Sequence, residues 1–216
     1  NFNADGTYTT AMIHNQWDCQ TIASPQNVGN GVEYGIFTWN QATGAIQLPA
    51  KAVIDTNGGC GFSDPGGENF GGSVTRVGNT IEIRESPGGP LIATAPAVES
   101  VPDTLVGGWV REAGNGTLLV FHADGTFLYV DPQSANLDPN NLYGQERGCY
   151  STSGGSVTFT IDAACEPDGL ASYDLNSAGG FLSVPAVTSL TVPYTVTGDT
   201  LAFNGSTITF KRTHPN

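Results

Sequence analysis

The sequence predicts an all-β chain made of two diverged copies of one antiparallel repeat. Three observations predict it: a composition unsuited to helices, Asp-Gly and Gly-Asn turns set between alternating runs, and self-similarity in four ordered blocks. Of 216 residues, 29 are Gly and 13 are Pro, and only 12% are charged. Helices need Glu, Lys and Arg to cover a solvent face, whereas Thr, Ser, Asn and Gly suit strands and turns. Aromatic and β-branched residues run evenly along the chain, so disorder is not expected.

The repeat is read block by block. Phe2-Asn3-Ala4-Asp5-Gly6-Thr7-Tyr8 returns as Phe121-His122-Ala123-Asp124-Gly125-Thr126-Phe127. Asp5-Gly6 and Asp124-Gly125 mark hairpins, since Gly supplies the positive φ that such a turn needs. Gly31-Val32-Glu33-Tyr34-Gly35-Ile36-Phe37 matches Gly144-Gln145-Glu146-Arg147-Gly148-Cys149-Tyr150, and Asp55 with Cys60 parallels Asp162 with Cys165. Val77-Gly78-Asn79-Thr80-Ile81 answers Thr197-Gly198-Asp199-Thr200-Leu201. Alternation marks Ser156–Ile161, Val196–Phe203 and Thr207–Lys211 as strands with one buried face.

These blocks predict two tandem antiparallel meander β-barrels, small and eight-stranded in type. The Pro-rich stretches at 85–90 and 99–103 hold the boundary, placed near Pro102, giving domains 1–102 and 103–216. The second copy opens with the strand Gly107–Arg111, which Gly114-Asn115-Gly116 turns into Thr117–Phe121. The first copy has no counterpart, so it is expected to lack its first strand, as a degenerate barrel or as part of a longer, trimmed polypeptide. The resulting sheet edge would be open to Leu91–Ala95 or to a strand from a neighbouring chain.

The run Gly-Gly-Trp-Val, Phe-x-Ala-Asp-Gly-Thr-Phe, Glu-Arg-Gly-x-Tyr, Gly-Asp-Thr-Leu-x-Phe and the closing Thr-Phe-Lys-Arg resembles the lipocalin-like repeat modules of bacterial secreted and cell-surface proteins. It covers nearly all of the second copy and about three quarters of the first. Asp55-Thr56-Asn57-Gly58 also resembles a loop of that family. The resemblance implies meandering lipocalin- or avidin-like barrels in exported, multidomain chains, and no catalytic residues. The cysteines and the missing first strand depart from it.

No constellation for chemistry emerges, and the chain is read as a non-enzyme. His14, His122 and His214 are the only histidines, and no Gly-x-Ser-x-Gly elbow accompanies them. Glu33 and Glu146 occupy equivalent repeat positions, which favours a structural role over a glycosidase pair, with Arg147, Arg84 and Arg212 as opposite charges. Asp5, Gly6, Glu33, Gly35, Asp124, Gly125, Glu146 and Gly148 are therefore read as structural repeat positions. Asp55, Asp64, Glu68 and Asp138 offer oxygen ligands for Ca2+ as the one cofactor candidate, but no calcium-loop spacing is matched and solvated turns explain them better. Trp39 and Trp109 read as core or interface, whereas Trp17, in an irregular stretch, is a candidate exposed aromatic.

Net charge is −13, from 20 acidic and 7 basic residues. That balance disfavours nucleic acid and anionic membrane surfaces, and no apolar run reaches membrane-span length. Four cysteines without C-x-x-C spacing, two per copy, are most simply Cys19–Cys60 and Cys149–Cys165 disulfides, which fits an extracellular or cell-surface protein. The expected role is a structural or adhesive module of a surface protein or filament, self-associating or joined to a parent surface protein by strand addition. The alternative is a carrier with a small-molecule or glycan ligand in a barrel interior.

Overall fold

In the computed structural model the described residues are 6–12, 31–48, 54–55, 70–97, 100–111, 117–131, 144–161, 165, 173–175 and 188–213. They are all strand, turn or extended chain, and none is helical. No helix among them is long and apolar enough to cross a membrane. Two compact units divide at Val98/Glu99, four residues before the composition boundary. Residues from Ser100 on go with the second unit because Ser100 Oγ donates to the Thr213 carbonyl and Val101 N–H to that of Val106.

The first unit holds β1 (Thr7–Met12), β2 (Gly31–Ile36), β3 (Thr38–Trp39), β4 (Ala45–Leu48), β5 (Ile54–Asp55), β6 (Phe70–Val77), β7 (Thr80–Arg84) and β8 (Leu91–Pro96). They form a three-stranded sheet, β1-β2-β5, and a five-stranded sheet, β3-β4-β6-β7-β8. Only Phe37 separates β2 from β3. Tyr8, Ile46, Leu48 and Ile83 are its buried core, with Phe37, Val74, Ile81 and Ala93 packed on them.

The second unit holds β9 (Gly107–Arg111), β10 (Leu118–Phe121), β11 (Thr126–Asp131), β12 (Gly144–Ser153), β13 (Ser156–Thr160), β14 (Tyr173–Leu175), β15 (Ser189–Thr197), β16 (Thr200–Phe203) and β17 (Thr209–Arg212). Eight of these close an antiparallel barrel in the order β9-β10-β11-β12-β13-β15-β16-β17, with β17 returning to β9. The short β14 pairs with β12 beside β13. Closure pairs each of the eight barrel strands on both sides, and β14 is the terminal strand of the sheet among the described residues.

Inward residues fill the barrel as a ladder of rings. Phe121 meets Tyr150 edge-on at 4.8 Å, Phe127 meets Phe159 at 4.9 Å, and Phe203 meets Phe210 at 6.0 Å. Edge-to-face pairs add about 0.5–1.5 kcal/mol each beyond area burial. Trp109, Leu119, Val157 and Leu201 complete the interior with no measurable exposure.

The duplication is visible in matched contacts. Gly6 and Gly125 carry φ of +83° and +89°, and their carbonyls accept from Phe37 N–H at 2.8 Å and Tyr150 N–H at 2.7 Å. Gly78 and Gly198 open two-residue turns with φ of +61° and +55°. Tyr8 stands opposite Gly35 as Phe127 stands opposite Gly148. In both cases the ring lies where a glycine Cβ would be, 2.7 Å from Tyr8 Cε1 and 3.0 Å from Phe127 Cε1. Glycine is favoured at Gly35 by the Tyr8 ring and required at Gly148 chiefly by the Thr160 carbonyl, with the Phe127 ring beside it.

Two sequence matches need correction. Glu33 pairs with Asp55 across β2 and β5, and Glu146 pairs with Asp174 across β12 and β14. Asp174, rather than Asp162, is therefore the counterpart of Asp55. Arg84 ends β7 and Arg212 ends β17, so they are not equivalent positions. Arg84 binds Glu82 at 2.7 Å. Leu91–Ala95 is β8, which pairs with β7 and occupies the place of β17 rather than that of a first strand beside β1.

Candidate functional site

The feature that sets the first unit apart is the outer edge of β8. In the second unit Arg212 N–H donates to the Asp199 carbonyl, and in the first Ala97 N–H donates to that of Asn79. This fixes the equivalence: Ala97 stands for Arg212, Pro96 for Lys211 and Ala95 for Phe210. Strand alternation then points the Thr94 N–H and C=O away from β7. On β17 the equivalent outward side is taken by β9, where Lys211 pairs with Val110 and Thr213 N–H donates to Gly108. Among the described residues β8 is the last strand of its sheet.

The side chains follow the same division. Among the described residues, five of the six exposed large hydrophobics belong to the first unit: Ile36, Trp39, Val77, Leu91 and Ile92. Leu91 and Ile92, 48% and 37% exposed, lie on β8 itself. Inward positions are also smaller there. Gly72, Val74 and Ala95 stand where the second unit has Val192, Tyr194 and Phe210, and Ala95 is exposed whereas Phe210 is buried. Two devices temper the edge: Pro96 has no N–H to give a neighbour, and the register shift at Ile83/Arg84 leaves Ile92 as an extra residue.

The remaining site candidates resolve into structural roles or fall outside the described residues. Trp109 is fully buried, donates from Nε1 to the Leu105 carbonyl at 2.7 Å, and carries the Arg212 guanidinium 4.1 Å from its ring centroid. Arg212 also donates to the Val106 and Thr104 carbonyls and lies 3.5 Å from Asp199, and burial pulls its pKa down. Sequence reasoning missed this stack; the only signal was an Arg two residues after the inward Phe210. Beside it, Ser100, Pro102, Asp103, Gly198, Asp199 and Arg212 line a depression of about 170 Å³. Trp39 is 40% exposed at the end of β3 rather than core.

Glu146 is fully buried on the face of β12 that bears Gly148 and Tyr150, and alternation sends Arg147 to the other face. Glu33 stands at the equivalent register position of β2, opposite Asp55. Asp124 takes hydrogen bonds at Oδ1 from Thr126 N–H and Oγ1 at 2.9 and 2.7 Å, tying the β10–β11 turn. Burial alone would raise its pKa, but these bonds, with His122 and Arg147, hold it below the usual range. Burial lowers the His122 pKa, against the opposing pull of Asp124. Tyr150 donates its hydroxyl to the His122 carbonyl at 2.8 Å, and burial raises its pKa. This cluster braces one end of the barrel.

Cys149 and Cys165 are disulfide-bonded, which pins the segment after β13 against the outer face of β12. Cys19, Cys60, Asp5, Asp64, Glu68, Asp138, Trp17, His14 and His214 lie outside the described residues, and of Asp55 only the backbone pairing is described. Among the described residues no three His, Cys, Asp or Glu side chains converge on a metal position.

Fold and edge together define an all-β protein in which the second unit closes an eight-stranded antiparallel barrel and the first, among the described residues, ends on the apolar β8 edge. No family model, curated protein or solved structure matches the chain.

Proposed function

We propose that this chain is an extracellular structural or adhesive module of the lipocalin-like repeat type, belonging to a surface protein or filament and assembling by β-strand addition. The observation that carries the reading is the β8 edge, with its outward Thr94 backbone groups and exposed Leu91 and Ile92. Strand addition uses such groups, giving affinity through the main chain and specificity through alternate side chains. The Cys149–Cys165 bond supports an oxidising compartment, and the acidic surface supports solubility outside the cell. The packed ring ladder argues against ligand carriage by the second barrel; the smaller inward residues Gly72, Val74 and Ala95 restrict that reading to the first unit.

Imaging and mass analysis of native material test the proposal. Ordered polymers that share a strand between subunits are expected. A monomer at all accessible concentrations would overturn it and move attention to ligands of the first unit.

A further inference from the structure

The second unit displays what would complete the first. Its strands β11 to β17 match β1 to β8 in pairing order, with β12 standing for β2 and β3 together, and it adds β9 and β10, an antiparallel hairpin inserted between β17 and β11. Among the described residues of the first unit those two places have no counterpart. From this we infer that the first unit is an acceptor for one β-hairpin of a neighbouring polypeptide, with large apolar residues on its inward face and its first strand antiparallel to β8. The inference rests on the strand-addition reading and names its partner.

Three observations specify that partner. First, the hairpin in the second unit sends Trp109, Leu119 and Phe121 inward, all fully buried. The β8 strand faces that position with Ala95 and Ala97 where β17 has Phe210 and Arg212, so the bulk must come from the incoming strand. Second, residues 91–97 carry no charge in a chain of net charge −13. An uncharged or basic hairpin therefore meets no like-charge opposition along the ladder. Third, Pro96 can only accept, so the incoming strand must donate to its carbonyl while exchanging both bonds with Thr94. A strand lacking the inward bulk gains only that short, proline-weakened ladder, which is how the same edge resists indiscriminate pairing.

The test uses the full 216-residue chain and a synthetic peptide of residues Leu105–Phe121, the chain's own hairpin, as the probe. Hydrogen exchange is followed at the amide of Thr94. The peptide is expected to slow it by about tenfold or more, as for a ladder hydrogen bond against a free edge. A peptide with Trp109→Ser and Leu119→Ser is expected to leave it unchanged. Because a free hairpin can aggregate, a second arm joins Leu105–Leu119 ahead of Asn1, which the repeat places at the position of Val120. Slowing in either arm, lost in the serine version, supports the inference. Unchanged Thr94 exchange in both arms overturns it, as does equal slowing by the serine version. Native polymers without Thr94 protection would leave the strand-addition reading standing and sink this inference; a native monomer whose Thr94 the peptide protects would do the reverse.

Discussion

The two units share their turn glycines and their aromatic-over-glycine contacts, yet the second closes on itself and the first ends on an edge. Among the described residues the second buries twelve hydrophobic residues in one cluster, seven of them aromatic, and the first buries four, of which Tyr8 alone is aromatic. The repeat thus encodes curvature and register in both, through Gly6 and Gly125, Gly35 and Gly148, Gly78 and Gly198. Closure and filling are encoded separately, by β9 and β10 and by inward bulk on β15 to β17. A repeat can therefore keep its turns while its core and its edges diverge.

The largest expected effects come from the cores. Phe159→Ala should cost the second unit about 3–5 kcal/mol, because its ring neighbours Phe121, Phe127 and Phe203 cannot collapse into the space. Leu48→Ala, at the equivalent position, should fall toward the lower end of the roughly 2–5 kcal/mol range, since an open unit relaxes more readily. Denaturant melts of the two variants read the difference, and equal losses would break the comparison.

Reducing Cys149–Cys165, whose cysteines are 16 residues apart, should remove about 3 kcal/mol from the second unit by freeing its unfolded chain. Melts with and without reductant measure it.

Gly148→Ala and Gly35→Ala should each destabilise by about 1–3 kcal/mol through overpacking against Phe127 and Tyr8. The loss should be larger at Gly148, whose Cβ would also strike the Thr160 carbonyl.

The smallest effect is a pH slope. The His122 pKa is lowered by folding, so below its unfolded value the unfolded chain binds the proton first. The stability contributed is full above about pH 6.5 and is lost as pH falls toward the folded pKa. Melting temperature of the second unit should rise modestly from pH 5 to 7, and His122→Asn, the residue the first copy carries at position 3, should flatten that rise.

Much of this fold was legible in the sequence because turn chemistry is local. Asp124-Gly125 and Gly198-Asp199 announce their hairpins, and Gly107–Arg111 announces β9. The Asp55 match failed because Asp174 follows a stretch of different length, and only backbone pairing reveals that both acids face a glutamate. The Arg84 match failed because Arg84 and Arg212 share a strand-end position in sequence but belong to different strands of the meander. The open edge was anticipated beside β1, which is terminal in its sheet among the described residues; that β8 is terminal as well was not, because pattern alone does not say which strand a closing segment pairs with. The role of Gly35 and Gly148 was half visible, as repeated glycines whose ring partners are set by cross-strand register.

The most direct test is native-state hydrogen exchange on the whole chain, comparing Thr94 on β8 with Lys211 on β17. The Lys211 amide should exchange only with global opening of the second unit, because β9 covers its edge, while Thr94 should exchange close to the rate of an unprotected amide. Equal, strong protection at both would contradict the open edge, and with it the reading of the first unit as an acceptor.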